Sequence, residues 1–314
     1  MSLSLTKHNY ISHLIGLLIC VVAISDITRS KEIIVVASVL CIWVLLLCFP
    51  IKDQHYFKAS MLFVLFLIIM SLVNLFFTKN GWGGSLTLLT HSLLAYLYIQ
   101  FNSKLLTLWV VLAYFITIGF IAYNLFVLNT DANDIYPNLS RNHAGFAVVF
   151  WSIFLLFHIY ITHGRIIILA ALLGLILSFF LFGRTSLLVS ALLLLIVFFF
   201  KFKKKPIVQY LATGIFLIVC FFLWVQFESN LVSETNLDKG LDTPRWRLWG
   251  IYLEHITALN FFTGVDVSTL PMYDIFTGNP HNAFIKFHSR VGFGAVVFII
   301  LILISFFKFL KLKY

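Results

Sequence analysis

Long apolar runs, broken by short polar punctuation, dominate this chain. They fall at 10–25, 33–50, 59–77, 86–101, 105–128, 144–162, 166–182, 186–200, 207–227 and 291–307. About 20 apolar residues cross a bilayer as a helix, so each run predicts a transmembrane helix. Several are short for that thickness and require tilting or local thinning of the bilayer. The break between 86–101 and 105–128 rests on Gln100, Asn102 and Lys104 alone. Only one long hydrophilic segment interrupts the series, at 228–290.

Composition agrees with the pattern. Of 314 residues, 61% are hydrophobic and 11% charged, with a mean hydropathy of +1.01. Too few polar residues remain to coat a soluble globule, and about nine or ten spans use up the apolar total. A soluble enzyme, a disulfide scaffold and a disordered tail are excluded. The expected fold is all-α: a polytopic membrane protein of about ten transmembrane helices with one long outer loop containing short interfacial helices. The first run reads as an uncleaved signal anchor. Cys20, Cys41, Cys48 and Cys220 all lie within apolar runs and read as small packing residues, not as a metal or redox pair.

Basic residues orient the spans. Lys201, Lys203, Lys204 and Lys205 form the densest cluster, and Lys308, Lys311 and Lys313 follow the last run. Placing both clusters in the cytoplasm also puts Arg165, Lys104, Lys52, Lys58 and Lys7 inside, with both termini cytoplasmic. The segment 228–290 then lies outside, with all the acidic residues except Asp53. Arg141, Arg184, Arg245, Arg247 and Arg290 lie outside too, against the usual bias, and binding an anion gives them a reason to be there. The net charge of +10 is scattered between apolar runs and forms no continuous basic face, so nucleic acid is not an expected partner.

Three constellations carry candidate chemistry. Phe182-Gly183-Arg184-Thr185-Ser186 stands between two runs, and its hydroxyls suit the start of a helix continuing to Phe200. An anion at that start meets free backbone N–H groups, the positive end of the dipole and a guanidinium. The bland alternative is an arginine that merely marks the interface. Thr243-Pro244-Arg245-Trp246-Arg247-Leu248-Trp249 combines an N-cap with proline in the first turn, predicting a helix that runs toward Phe262. It would carry Trp246, Trp249, Ile251 and Leu253 into the membrane interface; a plain amphipathic interfacial helix fits equally. The third, Gly278 to Arg290, predicts a helix entered at Pro280 that merges with the last span. His281 and His288, seven apart with Phe284 between them, would share a face. Asn282 accompanies His281, a residue type that stays neutral near pH 7 and accepts a proton.

Other residues are weaker candidates. Arg141-Asn142-His143 either lines the same cavity or caps a helix from Ala144. Lone histidines such as His13, His91 and His158 read as structural. Trp82, Tyr136, Trp246 and Tyr273 are of the type that stacks on sugar rings. No metal or other cofactor is expected, because the histidines lack ligand spacing and no carboxylate shares their helix.

Taken in order, Gly183-Arg184-Thr185 between spans, then Pro244-Arg245-Trp246-Arg247 opening the long loop, then His281-Asn282 with Gly292 and Gly294 leading into a span, resemble the O-antigen polymerase and O-antigen ligase superfamily of bacterial envelope glycosyltransferases. The resemblance covers the chain from about 140 onward. The runs and basic residues give helices one to nine over 1–227, an outer loop over 228–290, and a last helix with a cytoplasmic tail over 291–314; the resemblance implies that this loop is periplasmic and catalytic and that the membrane is the bacterial inner membrane. It implies a donor glycan on undecaprenyl pyrophosphate, a glycan acceptor and a chain-length regulator as a partner. Arg184 and Arg245 would hold the pyrophosphate and His281 would activate the acceptor hydroxyl. Arg247, Asn282, Arg141, Arg290 and His288 would line the substrate site. Asn279 and Pro280 stand where ligases of the family often carry a second histidine, and one span follows where relatives commonly have more. The first departure favours a polymerase over a ligase that transfers glycan to lipid A-core. A transporter or flippase of an anionic lipid is the alternative from another class, disfavoured because the charges cluster on one face and no duplicated halves are visible.

Overall fold

The structure, a computed structural model, describes residues 2–28, 30–48, 65–66, 68–70, 72–74, 76, 82–136, 141–181, 184–214, 216–218, 220–221, 244–271 and 283–311. These residues are helical or irregular, with no strand among them. The helices are α1 (Ser2–Thr28), α2 (Lys31–Cys48), α3 (Trp82–Phe101), α4 (Leu106–Phe126), α5 (Arg141–His163), α6 (Ile168–Phe180), α7 (Arg184–Lys201), α8 (Pro244–Glu254), α9 (Ala258–Thr263), α10 (Ala283–Val291) and α11 (Phe293–Lys311). Three segments are long and apolar enough to cross a membrane, by length and composition: Asn9–Thr28, Leu106–Phe126 and Asn142–His163. Glu32–Leu47, Ile168–Phe180 and Thr185–Lys201 are shorter apolar helices.

Several expected boundaries move. The break after α3 falls at 102–105, where the polar residues predict it. α5 begins at Arg141 rather than Ala144, so Arg141, Asn142 and His143 form its first turn. The helix predicted from Pro244 to Phe262 is two helices, because the chain leaves α8 after Glu254 and restarts with Thr257 as N-cap, its hydroxyl accepting from Asn260 N–H. The helix predicted to merge with the last span instead ends at Val291. Gly292 takes φ +50°, its N–H donating to His288 O at 2.8 Å, and α11 restarts at Phe293. A glycine in the left-handed region is a standard helix stop.

The chain divides into two compact units, 1–48 with 94–230 and 49–93 with 231–314. In the first, α1 packs on α2 and α4, α5 on α4, α6 and α7, and α6 on α7. Small residues make the closest approaches. Gly16 lies against the Trp109 ring, Gly145 against Ser186 and Gly174 against Ser152, so a side chain at any of these glycines would meet its neighbour. Ser178 and Ser190 hydroxyls bond at 2.9 Å between α6 and α7. Helices without a hydrophobic drive to associate use such small-residue contacts and interhelical hydrogen bonds. Large apolar side chains such as Leu108, Phe146 and Ile99 face outward, as lipid-exposed surfaces require.

The second unit has a small core of Leu248, Tyr252, Val265 and Leu270, with Trp249, Ile256, Val267 and Ile285 packed on it. Two backbones touch beside it. Gly264, at φ +89°, ends α9, and a Cβ there would lie 2.7 Å from Ser289 O and 2.8 Å from His288 O. A Cβ at Gly292 would strike the Phe262 carbonyl. Asn74 completes this crossing, its side-chain amide donating to Thr263 O at 2.6 Å and Ser289 O at 2.9 Å.

Gly292→Ala is expected to lower the apparent melting temperature of the protein in detergent, its left-handed φ alone costing about 1–2 kcal/mol. Gly294→Ala, where a Cβ would meet only the Met70 side chain at 3.4 Å, should leave melting nearly unchanged. Equal melting of the two variants would mean that the Gly264–Gly292 crossing is not a stabilising feature.

Candidate functional site

Arg141 opens α5 and Arg184 opens α7. The contact between Gly145 and Ser186, each in or just beyond the first turn, sets these two helix starts side by side within the first unit. The first N–H groups of a helix have no intrahelical partner, and the dipole places partial positive charge at that end. Paired starts therefore favour an anion. The side chains of Arg141 and Arg184 lie outside the described residues, so the backbone alone carries this placement.

In the second unit, α8 starts at Pro244, which suits a first helical position because it has no N–H to leave unsatisfied. Arg245 follows in the first turn, its side chain outside the described residues, as is Thr243. Leu248 and Tyr252, four apart, turn inward at 1% exposure, leaving Arg247 and Trp246 exposed. Trp246 and Trp249 meet edge to face with centroids 4.7 Å apart. Of the residues predicted for the interface, Leu253 and Trp246 are the exposed ones, while Trp249 packs on the core.

His281 and Asn282 lie outside the described residues, as does Tyr273; α10 begins immediately after them at Ala283. His288 is buried, and Phe284 is exposed. His288 Nδ1 is 2.8 Å from Tyr252 Oη, and its Nε2 is 3.1 Å from Phe261 O. A carbonyl only accepts, so Nε2 carries the proton of the neutral ring; Nδ1 is then the acceptor and the Tyr252 hydroxyl donates to it. The backbone acceptor fixes the polarity: Tyr252 donates to His288 and His288 to Phe261. Burial raises the Tyr252 phenol, the Val265 amide partly opposing it. Burial lowers His288, opposed in part by its bond to the Phe261 carbonyl. Both ring nitrogens of His288 are thus engaged by the protein.

Arg290, two residues on, is half-buried, and burial lowers its guanidinium, with no carboxylate among the described residues offsetting the loss of water. A desolvated guanidinium of this kind attracts an anion. Among the described residues no group of three or more His, Cys, Asp or Glu side chains could hold a metal ion. The lone histidines of the first unit are bonded internally: His158 to Tyr98 and Thr107, and His13 to Trp109. Tyr136 is buried rather than presented to a ligand.

Sequence reading missed Asn74 and Tyr252. Asn74 carried a signal, as an amide inside the apolar run 59–77. Tyr252 carried only its spacing, one turn after Leu248. Comparison with protein-family models, with curated proteins and with solved structures finds no match to this chain.

The depressed His288 pKa means that the unfolded chain takes up this proton more readily than the folded one. The stabilisation is full above the ordinary histidine value of 6.5 and is lost as pH falls below it. His288→Gln cannot take that proton and should lose less melting temperature between about pH 7.5 and about pH 5 than the parent does. An identical acid profile would show that His288 already titrates as an exposed histidine.

Proposed function

We propose that this protein is a membrane glycosyltransferase that polymerises lipid-linked oligosaccharide repeat units, in the manner of O-antigen polymerases, on the periplasmic face of a bacterial inner membrane. The observation that carries the reading is the pairing of the α5 and α7 starts, each opened by an arginine at the end of an apolar helix. A diphosphate on a membrane lipid is the anion that reaches such a place. The same reading takes the chain as ten spans with both termini cytoplasmic and 228–290 outside.

In this reading Arg184 and Arg245 hold the donor pyrophosphate, with Arg141, Arg247, Arg290 and Asn282 as further substrate contacts. His281 accepts the proton of the acceptor hydroxyl as its oxygen attacks the anomeric carbon. The carbon–oxygen bond to the pyrophosphate breaks, and carrier pyrophosphate leaves with the electron pair. Guanidinium groups stabilise the charge that develops on the leaving oxygens, so the step runs without a metal. His288, with both ring nitrogens engaged, supports the site rather than touching the sugar.

The test is elongation of undecaprenyl-pyrophosphate-linked repeat units by the full chain in proteoliposomes. Arg184→Ala and Arg245→Ala should weaken donor use, with lysine failing to restore it fully because it lacks the bidentate fork. His281→Ala should cut turnover by about 10²–10⁴-fold at unchanged protein level. Translocation of intact units without lengthening would establish a transporter instead, and transfer to lipid A-core a ligase.

A further inference from the structure

We infer that the groove between α4, α5 and α6 binds an anionic phospholipid, with one acyl chain lying in the groove and the phosphate meeting Lys104, His163 and Arg165 at its end. The site lies wholly within the first unit and does not depend on the transfer of sugars. The groove holds about 150 Å³. Tyr114, Ile159 and Ala170 form its buried floor, and Phe115 and Leu169 stand exposed as its rims. Its lining is apolar apart from the Tyr114 hydroxyl, which donates to Ala170 O at 3.3 Å. In a bilayer a hydrocarbon chain is the neighbour that fills such a groove, and without one the walls lose their dispersion contacts.

The end of the groove selects the headgroup. Thr107 Oγ1 lies 2.9 Å from His163 Nε2, which sets the start of α4 beside the end of α5. Thr107 N–H donates to Lys104 O at 3.1 Å. Beyond His163 the chain turns at Gly164, φ +63°, into Arg165, two residues before Ile167 of the groove. Lys104, His163 and Arg165 are all exposed. Thr107 precedes the groove residue Val111, and His163 follows Ile159, by one turn, about 6 Å. The polar region of one leaflet is about 5–7 Å deep, so a phosphate above a chain seated in the groove reaches these side chains. No described acidic residue of the first unit competes for them. Ser103 Oγ donates to Ser12 Oγ at 3.3 Å and Cys20 Sγ to Trp109 O at 3.5 Å, so α1 runs parallel to α4 and carries Asp26 to the far end. Glu32 at the start of α2, and Asp131 and Asp134 beyond the end of α4, lie at that far end too. Topology alone explains basic residues at one end of the helices; it does not explain an apolar groove that runs up to them.

The test is native mass spectrometry of the full chain in detergent, titrated separately with dioleoyl phosphatidylglycerol and dioleoyl phosphatidylcholine. The parent should retain one phosphatidylglycerol about 5- to 30-fold more tightly than phosphatidylcholine, the gain expected from one or two cationic side chains at a lipid phosphate. Lys104→Gln combined with Arg165→Gln should bring the two affinities within about two-fold of each other while leaving phosphatidylcholine binding as it was. Val111→Trp, which fills the groove, should weaken both lipids. Equal affinities in the parent, or a preference that survives in the double variant, overturns the headgroup assignment. Lipid binding unchanged by Val111→Trp overturns the groove as its seat. Should Val111→Trp fail to accumulate, Leu173→Phe, on the α6 wall of the groove, takes its place.

Discussion

A helix that ends in apolar surroundings leaves backbone groups that water cannot satisfy, and the architecture of the second unit follows from that constraint. α9 and α10 end against each other, where their last carbonyls have no helical partner. Asn74 supplies donors to two of them, at Thr263 and Ser289. Each would otherwise cost about 1–3 kcal/mol as a buried unsatisfied group. The geometry works only if the backbones approach closely, which is why Gly264 and Gly292 hold positive φ at the crossing. A polar residue inside an apolar run, two glycines and two short helices are thus one device.

The first unit meets the same constraint through small side chains. Gly16 accepts the Trp109 ring, Gly145 accepts Ser186 and Gly174 accepts Ser152. The Trp109 indole N–H donates to His13 Nδ1 at 3.1 Å. Close packing of α5 and α7 has a chemical consequence, because it brings two sets of unpaired N–H groups to one place. The anion site proposed there rests on how the helices pack, before any side chain is counted.

Legibility in the sequence follows from what each signal depends on. Apolar runs located the helices of the first unit well, since hydrophobicity is local: α7 spans Arg184–Lys201 where 186–200 was expected. Boundaries in the long loop were harder. The stop at Glu254 and the break at Gly292 depend on backbone contacts made by residues distant in sequence, which spacing along one helix does not encode. Arg184 and Arg245 were legible as helix-start arginines because proline and hydroxyl residues mark those starts. The pairing of Tyr252 with His288 was not legible, since it joins positions 36 apart that carry no shared motif. His281 and Asn282 fall outside the described residues, and their standing rests on sequence alone.

His281 and His288 look equivalent by spacing, and their chemistry separates them. A general base needs a nitrogen that is free to take a proton and a ring that tolerates the resulting charge. His288 has neither property. Its Nε2–H is committed to Phe261 and its Nδ1 to Tyr252, and burial disfavours the imidazolium. Protonating Nδ1 would set a donor against the Tyr252 hydroxyl, which now donates to that nitrogen. A histidine so enclosed holds structure well because it cannot change charge cheaply. The same enclosure removes it from proton transfer, so the base of the proposed reaction has to be another group, the role proposed for His281.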